Sequence, residues 1–208
     1  MNDMDIKETM EKALAALRSG GVILYPTDTV WGLGCDASDP EAVARIFSIK
    51  RRDDSKSLVL LASDMDMIAR YIRTIPEMAV ELVEVNDKPM TIIYPGAISS
   101  PRPAEGCLPV KDKSMLAYNT VAEDGTVGIR IPMMDFCREM VKRFGRPIVS
   151  TSANISGEPT PHGYGEISRE IREAADYIID PALEAGATGK SSSIIKIGLD
   201  ATVEIIRK

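Results

Sequence analysis

The sequence predicts an α/β fold built on an open, twisted, mixed sheet flanked by helices around a large concave cavity. Short apolar runs such as Val22–Tyr25 and Leu58–Leu61 have the length and composition of strands buried on both faces, and Thr91–Tyr94 reads as a further strand. Between several of these runs lie capped segments with apolar residues at helical spacing. The last third of the chain holds further β-type runs, so strands alternate with helices and then crowd together, as a mixed sheet requires.

The elements follow in order. Met10, Ala13, Leu14 and Leu17 share one face of a helix over about 7–19, and Gly20-Gly21 end it. The strand Val22–Tyr25 leads into the loop Pro26-Thr27-Asp28-Thr29, with Gly32 and Gly34 expected only to bend the chain away. Asp39-Pro40 starts a second helix, Asp as N-cap and Pro at the first position, with Val43, Ile46 and Phe47 facing inward. Ser63-Asp64 opens a helical stretch to about Ile72, and Pro76–Glu84 forms another. Residues 97–125 have no sustained period and many turn residues, which fits a long loop, either a surface insertion or a flap. Val127–Ile131 and Pro147–Thr151 read as strands on either side of a helix over 134–144 that Gly145 ends. A helix near 167–175 and strands at 177–180, 193–197 and 203–207 complete a single domain over 7–208.

Composition narrows the chemistry. With 208 residues, 44% hydrophobic and 27% charged, the chain suits a globular domain with a buried core. No apolar run reaches the length of a membrane span, and the N-terminus lacks the apolar core of a signal peptide. Three widely spaced cysteines, Cys35, Cys107 and Cys137, fit free thiols in a reducing cytoplasm. The single histidine, His162, leaves no multi-histidine metal site, and in its Gly/Pro loop it reads as a solvated side chain. A net charge of −6 means that nucleic acid could be met only through a local basic patch.

Two phosphate-loop patterns fail on their context. Gly32-Leu33-Gly34-Cys35-Asp36-Ala37 matches a dinucleotide fingerprint, yet six residues separate Tyr25 from Gly32 and the helix starts only at Asp39-Pro40. Gly186-Ala187-Thr188-Gly189-Lys190-Ser191 resembles a Walker loop with its glycines too close, and a β-type run follows it.

Three polar clusters remain at the ends of apolar runs or beside them: Pro26-Thr27-Asp28-Thr29, then Lys50-Arg51-Arg52 with Lys56, then Ser150-Thr151-Ser152-Ala153-Asn154. Open α/β sheets bind ligands beyond strand ends, so the clusters can converge on one site. They offer cations for phosphate and hydroxyls and an amide for a small polar ligand, but no nucleophile–base pair. Such a site works by positioning and charge neutralisation, as in nucleotidyl or phosphoryl transfer.

In order along the chain, YPTDTVWGLGCDA, IKRRDDSKSLVLL, GTVGIRIP, PIVSTSANISGEPT and SSSII resemble the YrdC/YciO-type domain of the threonylcarbamoyl-AMP synthases, in its single-domain form. The resemblance implies a reaction of L-threonine, bicarbonate and ATP (with Mg2+ accompanying the nucleotide and no permanently bound metal) to threonylcarbamoyl-AMP and pyrophosphate. The product would serve N6-threonylcarbamoyladenosine formation at position 37 of tRNA, in the cytoplasm. The resemblance also implies tRNA or double-stranded RNA and proteins of a tRNA-modification complex as partners, and no membrane.

By the same resemblance, Lys50 and Arg52 are the Lys-x-Arg pair with a catalytic role, and Arg52 and Lys56 face the ATP phosphates. Thr126, the Ser-x-Asn pair Ser152 and Asn154, Thr160 and Arg207 lie on the ATP side. Thr29, Arg130, Ser150 and Ser192 lie on the threonine side. The sequence departs from the family pattern at several points. Arg52 is followed by Asp53 in place of proline, Ser57 replaces a second proline, and Leu61 stands where many relatives have histidine. Pro95-Gly96-Ala97-Ile98-Ser99 reduces a Pro-Gly-Pro-x-Thr run, and Trp31 replaces a commoner tyrosine. The alternative is therefore a YciO-like relative that binds RNA or nucleotide without efficient synthesis.

Overall fold

The computed structural model describes residues 3–52, 58–184 and 186–208. Among them, nine strands form one mixed sheet in the order β7-β1-β2-β6-β3-β5-β4-β8-β9. The strands are β1 (Ile23–Tyr25), β2 (Gly32–Gly34), β3 (Val59–Leu61), β4 (Met90–Tyr94), β5 (Val127–Arg130), β6 (Ile148–Ser152), β7 (Tyr177–Ile178), β8 (Ser193–Ile197) and β9 (Val203–Arg207). Six helices accompany them: α1 (Asp3–Arg18), α2 (Pro40–Lys50), α3 (Met65–Ala69), α4 (Glu77–Val85), α5 (Asp135–Phe144) and α6 (Arg169–Ala174).

Local chemistry explains most boundaries. Asp39 caps α2, its carboxylate accepting from the amides of Glu41 (3.0 Å) and Ala42 (3.3 Å). Gly145 ends α5 at φ +85°, where a residue with a Cβ would be strained. Two expected elements differ. The helix from Ser63-Asp64 is only five residues long, because after Ala69 the chain turns and joins a bridge from Ile72 to Ala97.

Gly32–Gly34 does not bend away. It forms β2, antiparallel to β1 and to β6. A Cβ on Gly34 would stand 2.8 Å from both the Val149 carbonyl oxygen and Tyr25 Cε1, so the glycine allows the strands and the Tyr25 ring to close up.

The core runs through both faces of the sheet, from Leu14 and Leu17 of α1, through β1, to Ile46 of α2 and Val141 of α5, all buried. The 97–125 segment is tied to it: Ala117 donates to Ala37 O (2.8 Å), Ser100 to Leu116 O (2.8 Å), and Leu116 and Ala117 are fully buried. Lys111 at the surface reaches Asp39 (3.0 Å) and Glu41 (2.6 Å). Among the described residues, no helix is long and apolar enough to cross a membrane.

Candidate active site

Strand ends near the middle of the sheet surround a cavity of about 240 Å³. The loop after β1 supplies Thr27 and Thr29, and β2 supplies Gly32. Arg52 comes from the end of α2, Val59 from β3 and Arg130 from β5. Ser150, Thr151 and Ser152 come from β6, Ser191, Ser192 and Ile194 from the start of β8, and Arg207 from β9. Residues up to 180 positions apart thus share one space, because β6, β3, β5, β4, β8 and β9 are successive neighbours in the sheet.

The first loop is internally braced. Thr27 Oγ1 donates to Val30 O (2.7 Å), accepts from the Thr29 amide (3.1 Å) and lies 2.8 Å from Thr29 Oγ1. Asp28 is buried and accepts from Arg130 Nη1 (2.7 Å) and the Met133 amide (3.2 Å), while Arg130 Nη2 donates to Thr29 Oγ1 (3.3 Å). A buried charge is costly unless paired, so this pair fixes both the loop and the guanidinium. From the far side, Arg207 Nε donates to Ser192 O (2.9 Å), and Ser192 Oγ lies 2.8 Å from Thr91 Oγ1. Burial lowers the pKa of Arg52. Burial and then the charge of Arg130 lower that of Arg207, which places cations close enough to repel one another. Guanidiniums remain charged at any working pH, so the cavity favours an anionic ligand.

Lys50 has a different task from Arg52. It is 2% exposed and its ammonium donates to Ser152 O (2.5 Å), Asn154 O (2.7 Å) and Asn154 Oδ1 (3.4 Å). Asn154 in turn donates to Glu158 O (2.7 Å). The lysine therefore staples the end of α2 to the Ser-x-Asn segment and does not line the cavity. Burial first, and then the charge of Arg52, lower its pKa to about 8. Arg51, at φ +48°, ends α2 just beyond it, and the turn carries Arg52 into the cavity.

Besides Lys50, the described site residues singled out from sequence that stand off the cavity lining are Thr126, Asn154 and Thr160. Thr126 is bonded through its hydroxyl (2.6 Å) and amide (3.0 Å) to Asp124, which Lys196 also holds (2.8 Å), and it lies off the cavity lining. Asn154 and Thr160 sit on the loop after β6, outside the lining, and Lys56 lies outside the described residues. The cavity lining includes no residue from 97–125. Among the described residues, no group of three or more His, Cys, Asp or Glu is placed to hold a metal ion. Two partners at the site, Asp28 and Thr91, have no role assigned from sequence. Asp28 was visible as a charge inside an otherwise neutral loop. Thr91 carried no signal, because its contact with Ser192 spans 101 residues.

A mixed α/β sheet with an anion-receiving cavity at its strand ends defines the class, and comparison with known proteins gives the family. The model of the Sua5_yciO_yrdC family, described as "Telomere recombination", matches residues 15–208, and the chain belongs to this family. It is 31% identical over 172 residues to the Threonylcarbamoyl-AMP synthase of Stenotrophomonas maltophilia, covering 83% of this chain and 86% of that protein. The solved structure of P. abyssi Sua5 complexed with L-threonine is similar at 28% identity and a TM-score of 0.72 over 90% of this chain. The chain spans only half the length of that structure, 50%. E. coli YciO shares the fold, with a TM-score of 0.74 over 97% of this chain and 89% of its own, at 23% identity.

Proposed function

We propose that the protein is an L-threonylcarbamoyladenylate synthase, a nucleotidyltransferase that joins L-threonine, bicarbonate and the AMP part of ATP and releases pyrophosphate. One observation carries the reading: the Pro-Thr-Asp-Thr loop, Arg52 and the Ser150–Ser152 strand end meet in one cavity with Arg130 locked against Asp28. Similarity to the named synthase and to a Sua5 that holds L-threonine supports the same assignment.

In this reading the threonine carboxylate faces Arg130, with Thr29, Ser150 and Ser192 around the amino acid. The amine attacks the bicarbonate carbon, giving a carbamate and water. A carbamate oxygen then attacks the α-phosphorus and pyrophosphate leaves; Mg2+ accompanying ATP would supply further neutralisation of the phosphates. Arg52, Lys56 and Arg207 neutralise the phosphates, while Ser152, Asn154, Thr160 and Thr126 serve the nucleotide side. The protein supplies no nucleophile: it positions reactants and stabilises charge as it develops. Lys50 acts as a positioning residue for the Ser-x-Asn segment. The product would enter tRNA modification in the cytoplasm.

The test is pyrophosphate release by the purified protein with ATP, bicarbonate and threonine. Arg52→Ala should lower turnover at least about 100-fold, the size of effect expected for removing one preorganised charge-stabilising group, with little change in unfolding temperature. Intact release in that variant would remove Arg52 from the reaction. RNA binding that falls steeply with salt, without turnover, would favour a binding protein instead.

A further inference from the structure

We propose that Tyr25 is a positioning residue: its buried hydroxyl donates to Ser150 Oγ once substrate fills the cavity, and so aims the serine hydroxyl at bound threonine. The inference rests on the synthase reading above. Tyr25 ends β1 opposite Gly32, and Gly32 in turn stands opposite Ser152 on β6. Directly paired residues share a face of the sheet, and alternation along β2 and β6 adds Gly34 and Ser150 to that face. With no side chains on β2 at these two positions, the tyrosine ring lies across that strand toward β6. A Cβ on Gly34 would stand 2.8 Å from Tyr25 Cε1, and one on Gly32 would stand 3.5 Å from the same atom and 3.6 Å from Ser150 Oγ. The ring edge and the serine hydroxyl thus flank one point above Gly32.

Tyr25 is fully buried, and its Oη makes no hydrogen bond among the described residues. Burial and then Cys137 push its pKa up, and Ser150 is the first group to oppose that rise. The phenol therefore keeps its proton, and the two hydroxyls are neighbours that stand out of line. A buried donor without an acceptor destabilises the fold, so any rearrangement that pairs it is favoured. Ser150 is partly exposed and lines the cavity. A serine hydroxyl has one proton to donate and two lone pairs to accept with. A threonine oxygen that draws the Ser150 proton into the cavity leaves a lone pair for Tyr25. The chain then runs Tyr25 O–H to Ser150 Oγ, and Ser150 O–H to substrate, each bond polarising the next. Tyr25 does not line the cavity itself and acts on substrate only through Ser150.

The test compares Tyr25→Phe with wild type in the intact protein. Phenylalanine keeps the ring that packs over Gly34, so the variant should fold. Loss of an unpaired buried hydroxyl should raise the unfolding temperature of the free protein by about 2–6 °C. The KM for L-threonine in pyrophosphate release should nonetheless rise about threefold to tenfold, as for one neutral hydrogen bond, with kcat nearly unchanged. Threonine binding should weaken by the same factor, read through the emission of Trp31, the sole tryptophan and a cavity residue. Ser150→Ala should also raise KM, and adding Tyr25→Phe to it should change KM by less than about twofold, because the two residues act as one chain. A lower unfolding temperature in Tyr25→Phe would show that the hydroxyl is already bonded in the free protein and would overturn this inference. Additive effects on KM in the double variant, or an unchanged KM in Tyr25→Phe where wild type uses threonine, would overturn this inference alone. A wild-type protein that neither binds nor turns over threonine would overturn the synthase reading and this inference together.

Discussion

Replacing Asp28 by asparagine probes the ion pair at the centre of the cavity. Asp28 and Arg130 have side chains only 8% and 4% exposed, and their 2.7 Å contact joins the β1–β2 loop to the end of β5. Asparagine keeps the volume but offers one acceptor where the carboxylate offers two. Its amide nitrogen would have to face either the guanidinium or the Met133 N–H, both of which are donors. Removing one partner of a buried pair costs about 3–5 kcal/mol, and the retained acceptor places Asp28→Asn near the low end, about 3 kcal/mol. For a domain of this size that lowers the unfolding temperature by about 6–12 °C.

The same loss frees the Arg130 fork to rotate. A charge-assisted hydrogen bond contributes about 1.5–3 kcal/mol, so threonine binding should weaken about tenfold to a hundredfold. Thermal unfolding and calorimetric titration with L-threonine measure the two effects separately. Unfolding within 2 °C of wild type, by the same scale of about 2–4 °C per kcal/mol, would refute the energetic argument. Lower stability with threonine affinity intact would make the pair a prop for the loop and refute its role in aiming Arg130.

Two further predictions concern neighbouring features. Lys50 titrates near 8 in the folded chain against an ordinary 10.5, so above pH 8 the folded state gives up this proton before the unfolded state does. Stability from this group is thus present above pH 10.5 and lost as pH falls to 8, a span worth about 3 kcal/mol. The wild-type-minus-Lys50→Met difference in unfolding free energy should climb over that range, and a flat difference would contradict the assigned burial. Gly34→Ala places a Cβ 2.8 Å from a fixed backbone oxygen and from the Tyr25 ring. It should cost about 1–3 kcal/mol, the usual cost of overpacking, measurable by urea denaturation, and a neutral result would show that β1 and β2 separate easily.

Much of this architecture was legible in the residues because it is locally encoded. Asp39-Pro40 carries its own cap, Gly145 its own stop, and the run Leu58–Leu61 that holds β3 is apolar without interruption. β2 was not legible: two glycines in three residues have little intrinsic strand preference, and only the approach of β1 and β6 on either side makes that segment a strand. The direction of Lys50 was hidden for a similar reason. A lysine at a helix end has several possible partners, and which one it takes is decided by a loop that returns 102 residues later. The polar clusters could be located from sequence at strand and helix ends, but that Arg130 is neutralised by Asp28 while Arg207 leans on the Ser192 backbone is a property of the assembled sheet.

The central claim is that one cavity carboxylates the amine of threonine and then adenylates the resulting carbamate. The most direct measurement uses [13C]bicarbonate with ATP and L-threonine, followed by mass spectrometry of the nucleotide product. An AMP adduct that contains threonine and one labelled carbon is expected, formed one-for-one with pyrophosphate and absent when any substrate is omitted. Pyrophosphate released without threonine, or an adduct lacking the labelled carbon, would contradict the claim.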